Sequence, residues 1–239
     1  MGLEEIIRQN SLDVSIVGFS AVVILVGLGI YYKESVARFK GVLFSLIVLI
    51  AIGGTTYLVG ATVYLNNSSQ TKGPVHWHAD LEIWKCGQEV RLEPPSGLSN
   101  RIGTPLFHEH GDKKIHVEGV VVDMAEVSLK NFFKTIGGNL ENYEMSIPTG
   151  SIPDMLDLRT GMLCSPGVEG KFQVFVYTVQ DDKVTQKKLE NPKDYIISSN
   201  IQAPPGDCII IELDTMRDKT DKMCQSYDLA IKTGKFKYD

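Results

Sequence analysis

All five histidines of this 239-residue chain lie between positions 76 and 116, as His76-x-His78, His108-x-His110 and His116. Alternate residues of a strand project to the same side about 7 Å apart, so two neighbouring His-x-His strands direct several imidazoles at one point. Neutral imidazole is a ligand for Zn, Cu, Fe and Ni. Asp80, Glu82, Glu109, Asp112 and Glu118 could add an oxygen ligand or hold a second ring nitrogen. The expected chemistry is a transition-metal site, copper or zinc, on His76, His78, His108, His110 and His116. A metal-free proton switch would use the same residues, because histidine titrates near neutral pH. Histidines gathered by chance on a solvated surface are the bland alternative.

The elements around them read as strands. From His76 to Ile83 the sequence alternates, with Trp77, Ala79, Leu81 and Ile83 on one face and His76, His78, Asp80 and Glu82 on the other. Cys86 to Glu89 reads as a turn and Val90 to Leu92 as a returning strand. Leu106–His110 and Ile115–Glu118 form a second hairpin. A three-residue loop, Gly111-Asp112-Lys113, pairs His108 with His116 and puts all three histidines on one face. A four-residue loop instead puts His116 on the face of Glu109.

The segment from Val127 to Ile136 has apolar residues at helical spacing, with Ser128 as N-cap and Gly137-Gly138 as stop. Residues 139–170 read as loop with short strands. Phe172–Tyr177 and Cys208–Leu213 read as strands, the second after a turn at Pro204-Pro205-Gly206-Asp207, and Met216–Lys232 as a terminal helix. The class is α+β, a mixed sheet with one packed helix in a β-grasp-like arrangement around one modest core.

A second feature precedes this domain. Val14–Tyr32 and Gly41–Leu65 contain no charge and are each long enough to span a hydrocarbon core of about 30 Å as a helix. Residues 1–65 read as a two-span transmembrane hairpin, 66–75 as a polar linker, and 76–239 as the outer domain. The connection holds Lys33, Arg38 and Lys40, which places it in the cytoplasm and both chain ends outside. Residues 53–61 of the second span are rich in Gly, Thr and Ala, which permits close helix packing within the hairpin or with a membrane-protein partner. Neither span carries an ionisable residue, so the two helices alone do not make an ion pathway.

The first 65 residues hold four basic and four acidic side chains, so the net charge of −5 belongs wholly to the remainder. No basic excess marks a nucleic-acid partner, and no phosphate-binding glycine loop, nucleophile elbow or His-Glu-x-x-His helix occurs. Cys86, Cys164, Cys208 and Cys224 all fall in the outer part, where oxidising conditions favour two disulfides. Three pairings are open. Cys86 with Cys164 and Cys208 with Cys224 is favoured, because the latter would staple the terminal segment to a strand. One cysteine with Met124 is an alternative soft ligand set for copper.

HWHADLEIWKCGQEV, FHEHGDKKIHVEG and VSLKNFFKTIGG, within residues 76–138, resemble a family of membrane-anchored outer domains from archaea and uncultured bacteria. Its members pair a His-x-His strand with a downstream His-x-His, a glycine-acid turn, another histidine and a Leu-x-x-Phe-Phe helix, with a weaker echo at residues 205–210. The resemblance implies the unit and its topology rather than a reaction. The function expected is a membrane-anchored, metal-handling or accessory protein without catalysis of its own. A metal-free structural or interaction subunit and a metal-dependent enzyme are the alternatives.

Overall fold

The computed structural model describes residues 2–34, 36–149, 155–198 and 206–238, which fall into two compact units divided at Gly73 and Pro74. The first holds α1 (Leu3–Tyr31) and α2 (Lys40–Ser68), each of 29 residues. At 1.5 Å per residue such a helix is about 43 Å long. Over their charge-free runs both are apolar on every side, with Phe19, Ile30, Phe44 and Leu49 exposed, and both are long and apolar enough to cross a membrane.

α1 starts well before the charge-free run, because Glu4 and Glu5 sit in its first turn, where the helix dipole favours acidic groups. α2 continues through Ser68, so the linker is shorter than expected. The two helices meet where glycines remove side chains: a Cβ on Gly29 would lie 2.9 Å from Leu43, and one on Gly18 3.7 Å from Ile50. A Cβ on Gly53, Gly54 or Gly60 would have nothing within 4 Å, so these three glycines are not needed for close approach of the two helices.

The second unit contains, in chain order, β1 (Pro74–Lys85), β2 (Gln88–Val90), β3 (Ile102–Gly103), β4 (Phe107–Glu109), β5 (Lys114–Val120), α3 (Leu129–Thr135), β6 (Asn139–Leu140), β7 (Glu144–Pro148), β8 (Met155–Arg159), β9 (Leu163–Ser165), β10 (Val168–Glu169), β11 (Lys171–Gln180), β12 (Lys183–Lys188), β13 (Cys208–Asp214), α4 (Gln225–Lys232) and β14 (Lys237–Tyr238). Among the described residues nine strands form one mixed sheet, ordered β14-β12-β11-β13-β1-β5-β4-β3, with β2 also on β1. β1 runs parallel to β13, with Asp80 opposite Cys208. Its first half is antiparallel to β5 and its second half to β2.

Period-two alternation decides what each face carries. Ala79, Leu81 and Ile83 of β1, Ile115 and Val117 of β5, and Ile209, Ile211 and Leu213 of β13 meet Leu129, Phe132 and Phe133 of α3. Ser128 caps that helix by accepting from the Asn131 amide. On the other face Phe175, Tyr177, Cys208 and Ile210 meet Tyr227 and Ala230 of α4. The domain therefore has two apolar clusters, one under α3 and one under α4, rather than one core. The missed signal lies in β11 and β13, whose nearly unbroken apolar runs mark strands covered on both faces.

Two further boundaries differ from expectation, and the short strands expected in residues 139–170 are present. Cys86 and Gly87 have positive φ (52° and 80°), which makes a two-residue turn and returns the chain at Gln88. Residues 139–170 hold a three-stranded sheet, β6-β7-β8, because Leu140, Met145, Ile147 and Leu158 are buried between the breakers. α4 begins only at Gln225, since the preceding segment bonds to the sheet. There Lys188 Nζ donates to the Arg217 carbonyl (2.6 Å) and Tyr177 to that of Lys222 (2.7 Å). Of the expected turn before β13, Pro204 and Pro205 lie outside the described residues.

Candidate metal centre

The three-residue loop is the one formed. Lys113 supplies positive φ (62°), and His108 pairs directly with His116. On the other side of β5, His78 also pairs with His116. One central strand thus carries His116 and Glu118, and each flanking strand contributes a His-x-His. All five imidazoles occupy the sheet face that α4 covers further along β1.

His76 and His78 face each other with 3.0 Å between their Nε2 atoms, and His108 and His110 with 3.1 Å. Two nitrogens bound to one tetrahedral zinc at ~2.05 Å would be about 3.3 Å apart. The His78 and His116 ring centres are 4.6 Å apart, those of His110 and His116 4.7 Å, and His108 stacks on His116 at 5.4 Å. Glu118 reaches both pairs: Oε1 lies 3.0 Å from His76 Nε2 and Oε2 3.9 Å from His108 Nε2. Ligand atoms of His76, His78, His116 and Glu118 fall within 4.8 Å of one another, as do those of His108, His110, His116 and Glu118.

Carbonyl oxygens only accept, and that fixes two tautomers. His108 donates its Nδ1 proton to the carbonyl of Thr104 (3.1 Å), and His110 donates its own to that of Asn100 (2.6 Å). Both Nε2 atoms of neutral rings are then lone pairs facing each other, an arrangement that a shared cation relieves. His116 directs Nε2 at Asp112 (3.2 Å), so its Nδ1 is the unprotonated atom. That Nδ1 is buried with no hydrogen-bond partner. Backbone or carboxylate groups that hold the outer ring nitrogen in this way recur around metal-bound histidine.

Burial lowers the pKa of His78 first, and the neighbouring His116 and His76 lower it further. Burial likewise lowers that of His108, which is 0% exposed, against the opposing pull of Glu118. Burial would raise the Asp112 carboxyl, but its hydrogen bond to His116 and the nearby positive charges outweigh this and bring it down. The site opens to solvent at His76, whose side chain is 63% exposed, and at half-exposed Glu118.

The other carboxylates stand apart. Asp80 is buried beneath α4, where it accepts from Ser226, and Glu82 accepts from the Trp84 indole (3.1 Å). Burial raises the pKa of both. Glu109 lies on the opposite face of the sheet and accepts from the Lys113 amide (3.1 Å). All four cysteines are consumed in Cys86–Cys164 and Cys208–Cys224. Met124 packs against the α3-side cluster, so the cysteine–methionine copper set does not form.

Sequence reasoning missed the segment that orients the second pair. Asn100 has positive φ (47°), and Gly103 lets β3 lie so close to β4 that a Cβ there would fall 2.5 Å from the Phe107 carbonyl. The glycine and the Ser99-Asn100 pair were the available signals. In comparisons with known proteins, no family matches this chain, and neither does any curated protein or solved structure.

Proposed function

We propose that this is a membrane-anchored outer domain that binds a divalent transition metal, copper or zinc, through its histidine cluster and handles that metal or presents it to a partner. The reading rests on His116 Nδ1, buried without a hydrogen-bond partner and 3.9 Å from Glu118 Oε1, at the centre of four imidazoles whose paired Nε2 atoms lie at ligand-to-ligand spacing. Imidazole and carboxylate donors without thiolate favour Zn(II) or Cu(II) over Cu(I). Exposure at His76 suits an exchangeable ion rather than one sealed in for structure.

The two apolar helices anchor the chain in a cell membrane, with the Lys33–Lys40 connection in the cytoplasm and both termini outside, the compartment that two disulfides also suit. The order β5-β1-β13-β11-β12, with α3 between the two hairpins, supports a β-grasp-like core. Residues 76–138 belong, on this reading, with the family of outer domains that they resemble.

The full-length protein, purified in detergent and stripped with chelator, is expected to take up Zn(II) or Cu(II) and to melt at higher temperature with it. At a free concentration of ~100 Kd, binding adds about 2.7 kcal/mol. His78→Ala with His110→Ala abolishes both effects. Unchanged melting and no retained metal in the parent protein would end the reading.

A further inference from the structure

The cluster is two overlapping ligand sets rather than one. His76 and His78 on β1 form one set, His108 and His110 on β4 form the other, and β5 between them offers His116 and Glu118 to both. Strands one ladder step apart are about 4.8 Å from each other, so the two pairs start on either side of a central row and converge on it. The ligands of a single tetrahedral ion all lie about 3.3 Å from one another, whereas each His-x-His pair groups within 4.8 Å with His116 and Glu118 but not with the other pair. The carboxylate of Glu118 divides in the same way: Oε1 lies beside His76 and Oε2 on the side of His108.

Resting on the metal-binding reading above, we infer that the site is dinuclear: two divalent ions bridged by the Glu118 carboxylate, one held by His76 and His78 and the other by His108 and His110. Carboxylate-bridged pairs of this kind sit about 3.5–4 Å apart. The single lone pair on His116 Nδ1 serves one ion only, since its Nε2 is engaged by Asp112. The ion that takes it has four protein ligands. The other has three and an open position, the arrangement in which a metal binds solvent or an exchangeable ligand. The pair is therefore unequal by construction, and Glu118 is the residue on which the second ion depends.

The test uses full-length protein in detergent, stripped with chelator, loaded with excess Zn(II), desalted and analysed for metal and protein. Two zinc ions per chain are expected. His76→Gln with His78→Gln should leave one, and His110→Gln should leave one, while Glu118→Gln should weaken the second ion at least tenfold. These positions are half-exposed or exposed, and far-UV circular dichroism and melting check that each variant is folded. Loading with Cu(II) supplies an independent readout: one equivalent gives an isolated-ion paramagnetic resonance spectrum, and two equivalents give a spin-coupled one. A single zinc that both histidine variants abolish would overturn the two-ion inference and leave the metal reading standing. No retained zinc would overturn both. Two ions untouched by any of these variants would place the metal elsewhere and overturn both as well.

Discussion

On the α3 face of the sheet the apolar set is continuous, from Phe107 and Val117 through Ala79 and Ile209 to Val174 and Phe172. On the opposite face it runs from Val179 to Ile210 under α4 and then gives way, at the first half of β1, to five imidazoles. Both faces belong to the same strands, so one backbone register serves two ends. The dry side fixes where each Cα sits, and the histidines inherit those positions. A ligand constellation held by rigid strands in this way keeps its geometry better than one carried on loops.

That contrast is breakable. The largest effect is expected from Phe132→Ala, which removes a fully buried ring from the α3 side and should cost ~3–5 kcal/mol. Denaturant unfolding of the full chain measures it, and metal uptake should fall with the folded fraction. If the variant unfolds with no such loss, the α3 face is not what holds the strands.

Next in size is Cys208→Ser with Cys224→Ser, which frees α4 from β13. Opening a loop of that length is worth about 3 kcal/mol in the chain-entropy view. Hydrogen exchange should rise in α4 and at the end of β13, while β4 and β5 stay protected and metal uptake is kept. Loss of metal in the folded double variant would show that the two halves of that face are coupled after all.

The smallest effect concerns Asp207, at the start of β13, whose carboxylate accepts from Tyr195 (2.7 Å) and the Ser198 amide (3.0 Å). Burial raises its pKa above the ordinary 3.8, although both hydrogen bonds oppose this. A raised folded value means the folded chain holds the proton longer than the unfolded one. Its stabilising contribution is thus fully present below about pH 4 and is lost as pH climbs through the folded value. Asp207→Asn should remove that pH dependence, as seen in melting temperatures between pH 4 and 7. Equal pH profiles for the two proteins would exclude a raised carboxyl there.

How far this was legible depended on where the period was clean. The alternation at 76–83 assigned β1, its core face and its histidine face directly, and the Gly111–Lys113 loop left only a choice of register, which Lys113 at positive φ resolves. The pairing of cysteines 208 and 224 was legible because a terminal segment has to be fastened to something. The second apolar cluster was not, since the terminal helix expected over Met216–Lys232 forms only from Gln225, and which face of it carries Tyr227 and Ala230 to the sheet depends on that start. Nor was the orientation of His108 and His110, which comes from two backbone carbonyls in a stretch without periodicity. Carbonyl placement depends on φ and ψ, and a side-chain pattern does not encode it.

β13 lies between β1 and β11, although it is among the last strands to leave the ribosome. β13 is thus a late segment inserted between β1, which ends at Lys85, and β11, which starts at Lys171, with only β14 added after it at the sheet edge among the described strands. Contacts of such long sequence separation form slowly, because loop entropy is lost before they repay it. The strands bearing all five histidines precede β13 in the chain: β4 and β5 pair across a tight turn, and β1 meets β5 from Asp80 and Lys114 outward, a shorter separation than that between β1 and β13. The imidazole face can thus assemble before the domain that supports it has closed.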